Sequence, residues 1–171
     1  NLNKIFKIPA CAGMTNNLIY LIRNAEYDDS RHILPGRLPV ELSEKGIQQA
    51  KRLSNYFAAK KIARIFSSEV LRCKQTSEII SNGKIPIVYD KRLLEVLNAY
   101  QAYWDPNPNY VYWMRDSLGG ETNCDVQNRM IDFWENVGCE TDKNYVVCSH
   151  GDPLYFLYQY LLHEKLADEI P

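Results

Sequence analysis

Short apolar runs alternate with longer amphipathic stretches along this chain, and that alternation limits the folds it can adopt. The runs are LIYLI (18–22), IARIFSS (62–68), IPIVYD (85–90) and NYVVCSH (144–150), each bounded by polar residues. Between them, apolar residues recur at helical spacing, as at 47, 50, 53 and 57. Buried strands that alternate with helices predict an α/β fold, a three-layer α/β/α sandwich around a mostly parallel sheet.

Capping residues indicate where the helices begin and end. The candidate N-terminal caps are Ser43, Ser67 or Ser68, Thr122 in a capping box with Asp125, and Asp152 ahead of Pro153. Asn82 and Gly83 predict the end of the second helix. The segment 92–100 fits either a strand or a loop. The aromatic segment Ala99–Met114 predicts a substrate-side loop with a short helix, whose rings mostly cover one end of the core.

Length and charge set the domain number and exclude two classes of partner. A chain of 171 residues predicts one domain, here residues 15–171. We expect residues 1–14 to be a poorly ordered extension rather than a signal peptide, because Lys7 and Pro9 interrupt their short apolar patch. A net charge of −1 lacks the basic excess of a general nucleic-acid binder, and no apolar run reaches membrane-spanning length. We therefore expect neither nucleic acid nor membrane as a partner.

The cysteines argue against a disulfide framework and against a zinc site. The chain has five, an odd number, and none forms a CxxC or CxxH pattern. Buried, reduced thiols in a cytoplasmic protein without a structural metal are the simplest interpretation.

Basic residues follow the predicted strands directly. Arg23 comes after the first strand, and His150 comes after the last, immediately before Gly151 and a helix. Arg72 lies in the first turn of the helix after IARIFSS. The carboxyl ends of parallel strands meet at one edge of a sheet, where ligands bind. Guanidinium groups and helix N-termini match phosphate oxygens, so the three residues together predict a phosphate site.

The ordered segments resemble the histidine phosphatases, also called the phosphoglycerate mutase-like superfamily. The matching segments are LIYLIRNAE, GRLPVELSEKGIQQAKRL, IFSSEVLRCKQTSEII, LLEVLNAY, GGETNCDVQNRM (with Gly120, Glu121 and Arg129) and YVVCSHGDPL. They extend from Leu18 to about Leu162, nearly the whole chain. The resemblance implies a phosphoglycerate mutase-like fold, and the compact chain is more similar to the small phosphatase branch than to the longer mutases.

The same resemblance implies a mechanism for phosphomonoester hydrolysis through a phosphohistidine, with no metal and no cofactor. Arg23, Arg72 and His150 would bind the phosphoryl group. Arg37, in the second matching segment, would be a further substrate-binding residue. Glu95 would protonate the leaving oxygen and then activate water.

Asn24 stands where the family has its nucleophilic histidine. An amide nitrogen shares its lone pair with the carbonyl, so Asn24 should not attack phosphorus. His32 lies in the following loop rather than at the strand end and is not expected to replace it. The surroundings also depart from the family, with Ala25 at a glycine position and Ser30 where asparagine is frequent.

Three interpretations of Asn24 remain open. An engineered change would explain Asn24 but not the altered surroundings, a natural pseudoenzyme would explain both, and a residual enzyme would use water directly. Two functions follow: a phosphatase that is inactive or impaired as written, and a non-catalytic module that binds phosphorylated ligands. Phosphohistidine-protein phosphatases of this branch often lack the acidic donor. Because Glu95 is present, a small phosphorylated metabolite or phosphate is favoured over a phosphoprotein.

Overall fold

The computed structural model describes residues 6–9, 18–99, 101–102, 119–138, 140 and 142–164. Its strands are β1 (Phe6–Pro9), β2 (Leu18–Arg23), β3 (Ile62–Ser67), β4 (Ile87–Tyr89) and β5 (Asn144–Ser149). Its helices are α1 (Glu44–Ala58), α2 (Leu71–Ser81), α3 (Asn123–Asn136) and α4 (Gly151–Leu161), with a 3-10 turn at Lys91–Leu93. The strand order is β1-β2-β5-β3-β4. All neighbours are parallel except β1, which runs antiparallel to β2.

Two hydrophobic layers lie on opposite faces of this sheet. On β2, the side chains of Ile19 and Leu21 join α3 and α4 in one layer. The alternate residues Tyr20 and Ile22 join α1 and α2 in the other. A strand buried on both faces reads as a continuous apolar run, which is why LIYLI shows no polar alternation. The predicted three-layer sandwich around a mostly parallel sheet is confirmed, and it matches the phosphoglycerate mutase-like type.

The N-terminal stretch departs from expectation. Residues 1–14 were expected to lie outside the ordered fold, but Phe6–Pro9 forms the edge strand β1, paired with Leu18–Leu21 of β2. The outer edge of β2 carries backbone N–H and C=O groups, and this pairing satisfies them. That expectation is therefore wrong for residues 6–9, and the rest of the stretch lies outside the described residues.

Helix boundaries followed the predictions in α1 and α3 but not at the N-termini of α2 and α4. Ser43 caps α1, the capping box of Thr122 and Asp125 caps α3, and α2 ends at Asn82 in the left-handed conformation. The residue at the N-cap of α2 is Val70 rather than Ser67 or Ser68, and that of α4 is His150 rather than Asp152. Neither makes a side-chain cap bond. Only His150 separates β5 from α4, whereas three residues separate β3 from α2.

The segment after β4 is a 3-10 turn followed by loop, which resolves the strand-or-loop ambiguity of 92–100 in favour of loop for its described residues. The predicted substrate-side segment Ala99–Met114 lies outside the described residues except for 99, 101 and 102. In the part of the chain that is described, no helix combines the length and apolarity that a membrane crossing requires.

Candidate functional site

The carboxyl ends of β2, β5 and β3 lie side by side at one edge of the sheet. The N–H of Asn24, just past β2, donates to the carbonyl of Ser149 at 2.9 Å. The N–H of Ser68, just past β3, donates to the carbonyl of Cys148 at 3.0 Å. Because the three strands are parallel, this edge gathers residues that are far apart in the sequence. We call Arg23, Asn24, Arg72, Glu95 and His150 the strand-end cluster.

Arg72 is buried at this edge with one nitrogen left unpaired. Its side chain is 1% exposed, and its Nη2 donates to the Gly36 carbonyl at 2.8 Å and to Glu95 Oε2 at 3.2 Å. Its Nη1 is buried and has no hydrogen-bond partner among the described residues. A buried donor left unsatisfied costs about 1–3 kcal/mol, more when the group is charged. The guanidinium therefore retains unused N–H donors, which an anion could accept.

His150 is fully buried beside the same carboxylate. Its Nε2 lies 2.9 Å from Ser68 Oγ, and its Nδ1 lies 3.5 Å from Glu95 Oε2. Burial, and then the positive charges of nearby arginines led by Arg72, hold the pKa of His150 well below its ordinary value. The ring is thus neutral near pH 7, with one N–H available to an anion or to the carboxylate.

The pKa of Glu95 is shifted in the opposite direction to that of His150. Burial, reinforced by the negative charge of Asp152, raises the pKa of Glu95 to about 7, although Arg72 opposes the shift. Its Oε1 accepts one hydrogen bond, from the Val96 N–H at 3.0 Å. A carboxyl group that titrates near neutral pH can give and take protons there, which suits a general acid–base residue.

Arg23 faces the N-terminus of α4. Its guanidinium atoms lie 3.6–3.8 Å from the point where a β-carbon on Gly151 would sit, so the guanidinium lies directly beside the first residue of α4. The Arg23 side chain is exposed, and no side-chain hydrogen bond or ion pair joins it to another described residue. Since His150 provides no side-chain cap, the Gly151 N–H at the start of α4 can face an anion, as in helix-terminal anion sites.

Asn24 is held in one orientation within the cluster. The residue is 5% exposed, and its Nδ2 donates to the Ala25 carbonyl at 2.9 Å. The Ala25 N–H donates to Thr76 Oγ1 at 3.0 Å, and that hydroxyl donates to the Arg72 carbonyl at 2.6 Å. These bonds tie the end of β2 to the first turns of α2. His32, by contrast, has a 64% exposed side chain on the following loop, 3.8 Å from Asp29.

Arg37 joins a different group. Its Nε donates to the Glu95 carbonyl at 2.8 Å, and its Nη2 lies 2.8 Å from Glu121 Oε2. Arg129 binds the same carboxylate, with Nε 2.9 Å from Glu121 Oε1. We call Arg37, Glu121 and Arg129 the Glu121 cluster. It adjoins the strand-end cluster through the main chain of Glu95.

Sequence reasoning missed Ser68 and Thr76 as members of the site. Ser67 or Ser68 is the predicted cap of α2; the Ser68 hydroxyl accepts from the N–H of the N-cap residue Val70 at 3.3 Å and also lies 2.9 Å from His150 Nε2. Its position directly after a parallel strand, shared with His150, is the signal that could have found it. Among the described residues, no group of His, Cys, Asp and Glu is placed to hold a metal ion.

Comparisons with known proteins agree with this architecture. The sequence profile of the histidine phosphatase superfamily (branch 1) matches residues 19–169. A Schizosaccharomyces pombe protein named as a probable phosphatase is 28% identical over 160 residues, which cover 86% of this chain and 74% of that protein. The fructose-2,6-bisphosphatase TIGAR of Xenopus tropicalis is 30% identical over 143 residues, covering 71% of this chain and 50% of its own length.

Solved structures give the same fold. A mycobacterial glucosyl-3-phosphoglycerate phosphatase aligns with a TM-score of 0.69 at 24% identity, covering 86% of this chain and 80% of that one. A phosphoserine phosphatase from Entamoeba histolytica, solved with 3-phosphoglyceric acid, aligns with a TM-score of 0.72 at 20% identity, covering 86% and 81%. These structures show the fold, and the profile match over residues 19–169 shows that this chain belongs to the histidine phosphatase superfamily, branch 1.

Proposed function

We propose that this protein binds small phosphate monoesters in the strand-end cluster and turns them over slowly or not at all, because Asn24 occupies the position of the family's nucleophile. The unpaired Nη1 of Arg72 is the observation that carries the proposal. A charged donor buried without a partner is rare in folded proteins, and a phosphate oxygen would supply the missing acceptor.

The rest of the cluster complements a phosphate dianion. Arg23 contributes a second, exposed guanidinium, and the start of α4, which has no side-chain cap, contributes the Gly151 N–H. Neutral His150 can donate one further hydrogen bond. These donors come from β2, α2 and the β5–α4 junction, so the geometry is fixed by the sheet edge and not by one flexible loop.

Relatives support a metabolite as the ligand class. The names of the matched proteins specify small phosphorylated metabolites: fructose-2,6-bisphosphate, glucosyl-3-phosphoglycerate and phosphoserine. Glu95 is placed to protonate the leaving oxygen of such an ester. We therefore favour a small phosphorylated metabolite, or phosphate itself, over a phosphoprotein. The free thiols of Cys73 and Cys148 suit a reducing compartment, and we propose the cytoplasm.

The missing step is the attack on phosphorus. In the family's chemistry a histidine nitrogen forms an N–P bond while the ester P–O bond breaks and the leaving oxygen takes a proton from the acid. Water then attacks phosphorus, the same carboxylate takes its proton, and the N–P bond breaks. The amide of Asn24 offers no nitrogen lone pair for the first step. Only direct attack by water, with Glu95 as base, would remain.

Binding is tested on the unmodified chain by calorimetry and thermal denaturation with inorganic phosphate and with a small phosphate monoester. At a hundred times the Kd, a ligand of the native state should raise the Tm by roughly 5–10 °C. Arg72→Gln should weaken binding about 100-fold, since it removes a charged donor from a dry site. Arg52→Gln, on the exposed face of α1, is the matched control and should bind normally. Equal melting temperatures with and without ligand would refute the proposal.

Catalysis is tested with Asn24→His. Asn Nδ2 and His Nδ1 are attached to the same side-chain carbon, so the new imidazole can donate its Nδ1–H to the Ala25 carbonyl that Asn24 now uses. Its Nε2 lone pair would then remain free to attack. We expect turnover of an aryl phosphate to rise by at least about 10³-fold, together with an acid-labile phosphoenzyme. Asn24→Gln, which stays an amide, should not gain activity. Turnover by the unmodified chain at the level of Asn24→His would contradict the assigned role of Asn24.

A further inference from the structure

We infer that the Glu121 cluster positions Glu95: it holds the loop at residues 92–97 so that the Glu95 carboxyl lies against Arg72 and His150. The inference rests on the proposed function only for the use made of Glu95. The positioning itself concerns the unliganded chain and can be tested without turnover.

Two arginines converge on one main-chain atom. The Glu95 carbonyl accepts from Arg37 Nε at 2.8 Å and, at 3.4 Å, from Arg129 Nη2. Arg37 reaches it from the loop before α1, and Arg129 from α3. The carbonyl of Glu95 is therefore held from two sides, and the side chain leaves the backbone at a fixed point.

Glu121 holds the two arginines together. Its Oε2 accepts from Arg37 Nη2 at 2.8 Å and from Arg129 Nη2 at 3.1 Å, and its Oε1 accepts from Arg129 Nε at 2.9 Å. The same Oε2 also accepts from the Leu97 N–H at 2.8 Å. All three side chains are at most a quarter exposed. A carboxylate with this many donors is saturated and has no lone pair to spare for a ligand.

The loop is held at both of its ends as well. Arg129 Nη1 donates to the Arg92 carbonyl at 2.6 Å, and the Glu121 N–H donates to the Leu97 carbonyl at 2.9 Å. Contacts at residues 92, 95 and 97 leave the loop little freedom to swing. On the other side of the loop, the Glu95 carboxyl meets Arg72 Nη2 at 3.2 Å and His150 Nδ1 at 3.5 Å.

The titration of Glu95 reports its position, because loss of a nearby cation and loss of burial shift its pKa in opposite directions. The groups that face this carboxyl are Arg72 of α2, Arg23 of β2, His150 and Asp152 at the β5–α4 junction, and the more distant Arg37, Glu121 and Arg129. Removing a nearby cation by electrostatics alone raises a carboxyl pKa. Releasing the loop into water removes the burial that raises it, and so lowers the pKa.

The experiment is an NMR titration of the chain carrying 13C-labelled glutamate, with the Glu95 signal assigned from Glu95→Gln. The unmodified chain should titrate with a midpoint of about 7. In Arg37→Gln and in Arg129→Gln the midpoint should fall to about 5.5 or lower, toward the value of a free glutamate. Arg37→Lys keeps the charge but cannot bind the Glu95 carbonyl and Glu121 in the same way, so its midpoint should fall too.

Two control variants should leave the Glu95 midpoint unchanged. Arg52→Gln makes the same substitution on exposed α1, and Glu135→Gln removes an exposed carboxylate of α3 that bonds Tyr160. A midpoint that rises or stays near 7 in folded Arg37→Gln, Arg129→Gln or Arg37→Lys would overturn the inference. The three variants differ in the contacts they remove, so a failure of one to fold leaves the others to decide.

A second measurement adds the catalytic consequence in the Asn24→His background. Loss of a placed proton donor slows an alkyl phosphate, a poor leaving group, more than an aryl phosphate. Arg129→Gln should therefore reduce alkyl phosphate turnover at least about tenfold more than aryl phosphate turnover, and adding it to Glu95→Gln should cause little further loss. Full additivity would count against positioning. Absence of any turnover in this background would contradict the catalytic role assigned to position 24, and it would leave the titration result standing.

Discussion

Glu95 and Glu121 lie on opposite sides of one loop, and their pKa values move in opposite directions. Burial and the charge of Asp152 raise the pKa of Glu95 to about 7. Burial alone would also raise the pKa of Glu121, but hydrogen bonds from Arg129 and from the Leu97 N–H, with the charges of Arg129 and Arg37, lower it. The two side chains are about equally exposed, so the difference comes from Asp152 beside Glu95 and from the larger number of donors around Glu121. A carboxylate with four donors stays ionised and stabilises the fold, whereas one with a raised pKa can exchange protons near pH 7.

The arginines divide in the same way. Arg129 uses its Nε and both of its Nη atoms in hydrogen bonds, whereas Arg72 keeps a buried Nη1 without a partner. Arg37 was predicted from the family motif as a substrate-binding residue, yet its guanidinium is engaged by Glu95 and Glu121. We propose that it positions Glu95 instead. Unused hydrogen-bonding capacity, rather than charge alone, distinguishes a binding arginine from a structural one.

The largest effect should come from removing the anion of the saturated group. Glu121→Ala leaves two partly buried arginines without their carboxylate, and we expect the free energy of unfolding at pH 7 to fall by about 4 kcal/mol. Glu95→Ala should cost less than half as much, because its ionised form is already disfavoured by burial. Urea denaturation of both variants measures the contrast. Equal losses would mean that the two carboxylates play the same structural part.

The pH dependence of stability should separate the two carboxylates next. The native pKa of Glu95 is about 7, above that of the unfolded chain, so its contribution is fully present below about pH 4.3. It is lost as the pH rises to 7, a change of about 3 kcal/mol. His150, with a lowered pKa, acts oppositely and destabilises the native state as the pH falls below its ordinary value.

The measurement that isolates Glu95 is therefore a difference between variants. Urea denaturation between pH 4 and 8 gives the free energy of unfolding of the unmodified chain and of Glu95→Gln. As the pH rises, the unmodified chain should lose about 3 kcal/mol of stability relative to Glu95→Gln. Parallel curves across the range would show that Glu95 has an ordinary pKa in the folded protein.

The helix N-termini should likewise differ in role, one stabilising the fold and the other binding phosphate, with smaller effects on the free energy of unfolding. Ser43 Oγ accepts from the Gly46 N–H at 3.0 Å and so caps α1, away from the strand-end cluster. Ser43→Ala should lower the free energy of unfolding by about 1 kcal/mol and leave phosphate affinity unchanged. Calorimetry with and without phosphate tests both halves. A loss of affinity would link α1 to the binding site.

The smallest effect is expected at the uncapped helix. Gly151→Ala places a methyl group about 3.6 Å from the Arg23 guanidinium, an ordinary contact. Helix propensity should stabilise the fold by up to about 0.5–1 kcal/mol. The methyl group narrows the space between the Arg23 guanidinium and the first N–H of α4, so phosphate affinity should fall several-fold. Unchanged affinity in a calorimetric titration would place the ligand away from α4.

Residues next to a predicted strand could be located from the sequence, because parallel strands bring their carboxyl ends to one edge. Arg23, Asn24 and His150 follow β2 and β5 directly, and Arg72 comes in the first turn after β3. Residues in long loops could not be located in this way. Nothing in the sequence indicates that Arg37 and Glu121, 84 residues apart, meet at 2.8 Å.

The N-termini of α2 and α4 show a second limit. Serine and aspartate near a helix start predict caps, but the N-cap residues of these two helices are Val70 and His150, and the Ser68 hydroxyl binds both the Val70 N–H and His150. The edge strand β1 was missed as well, since pairing with an exposed strand edge depends on tertiary contacts more than on local pattern.

The sequence by itself determined how the four parallel strands and the helices alternate along the chain, the layers that bury them, and which basic residues reach the sheet edge, because hydrophobic periodicity and strand polarity are local properties. Only the tertiary structure decided which arginines are saturated and which carboxyl holds a proton near pH 7. Those outcomes depend on burial and on donors contributed by distant segments, and no short stretch of sequence contains them.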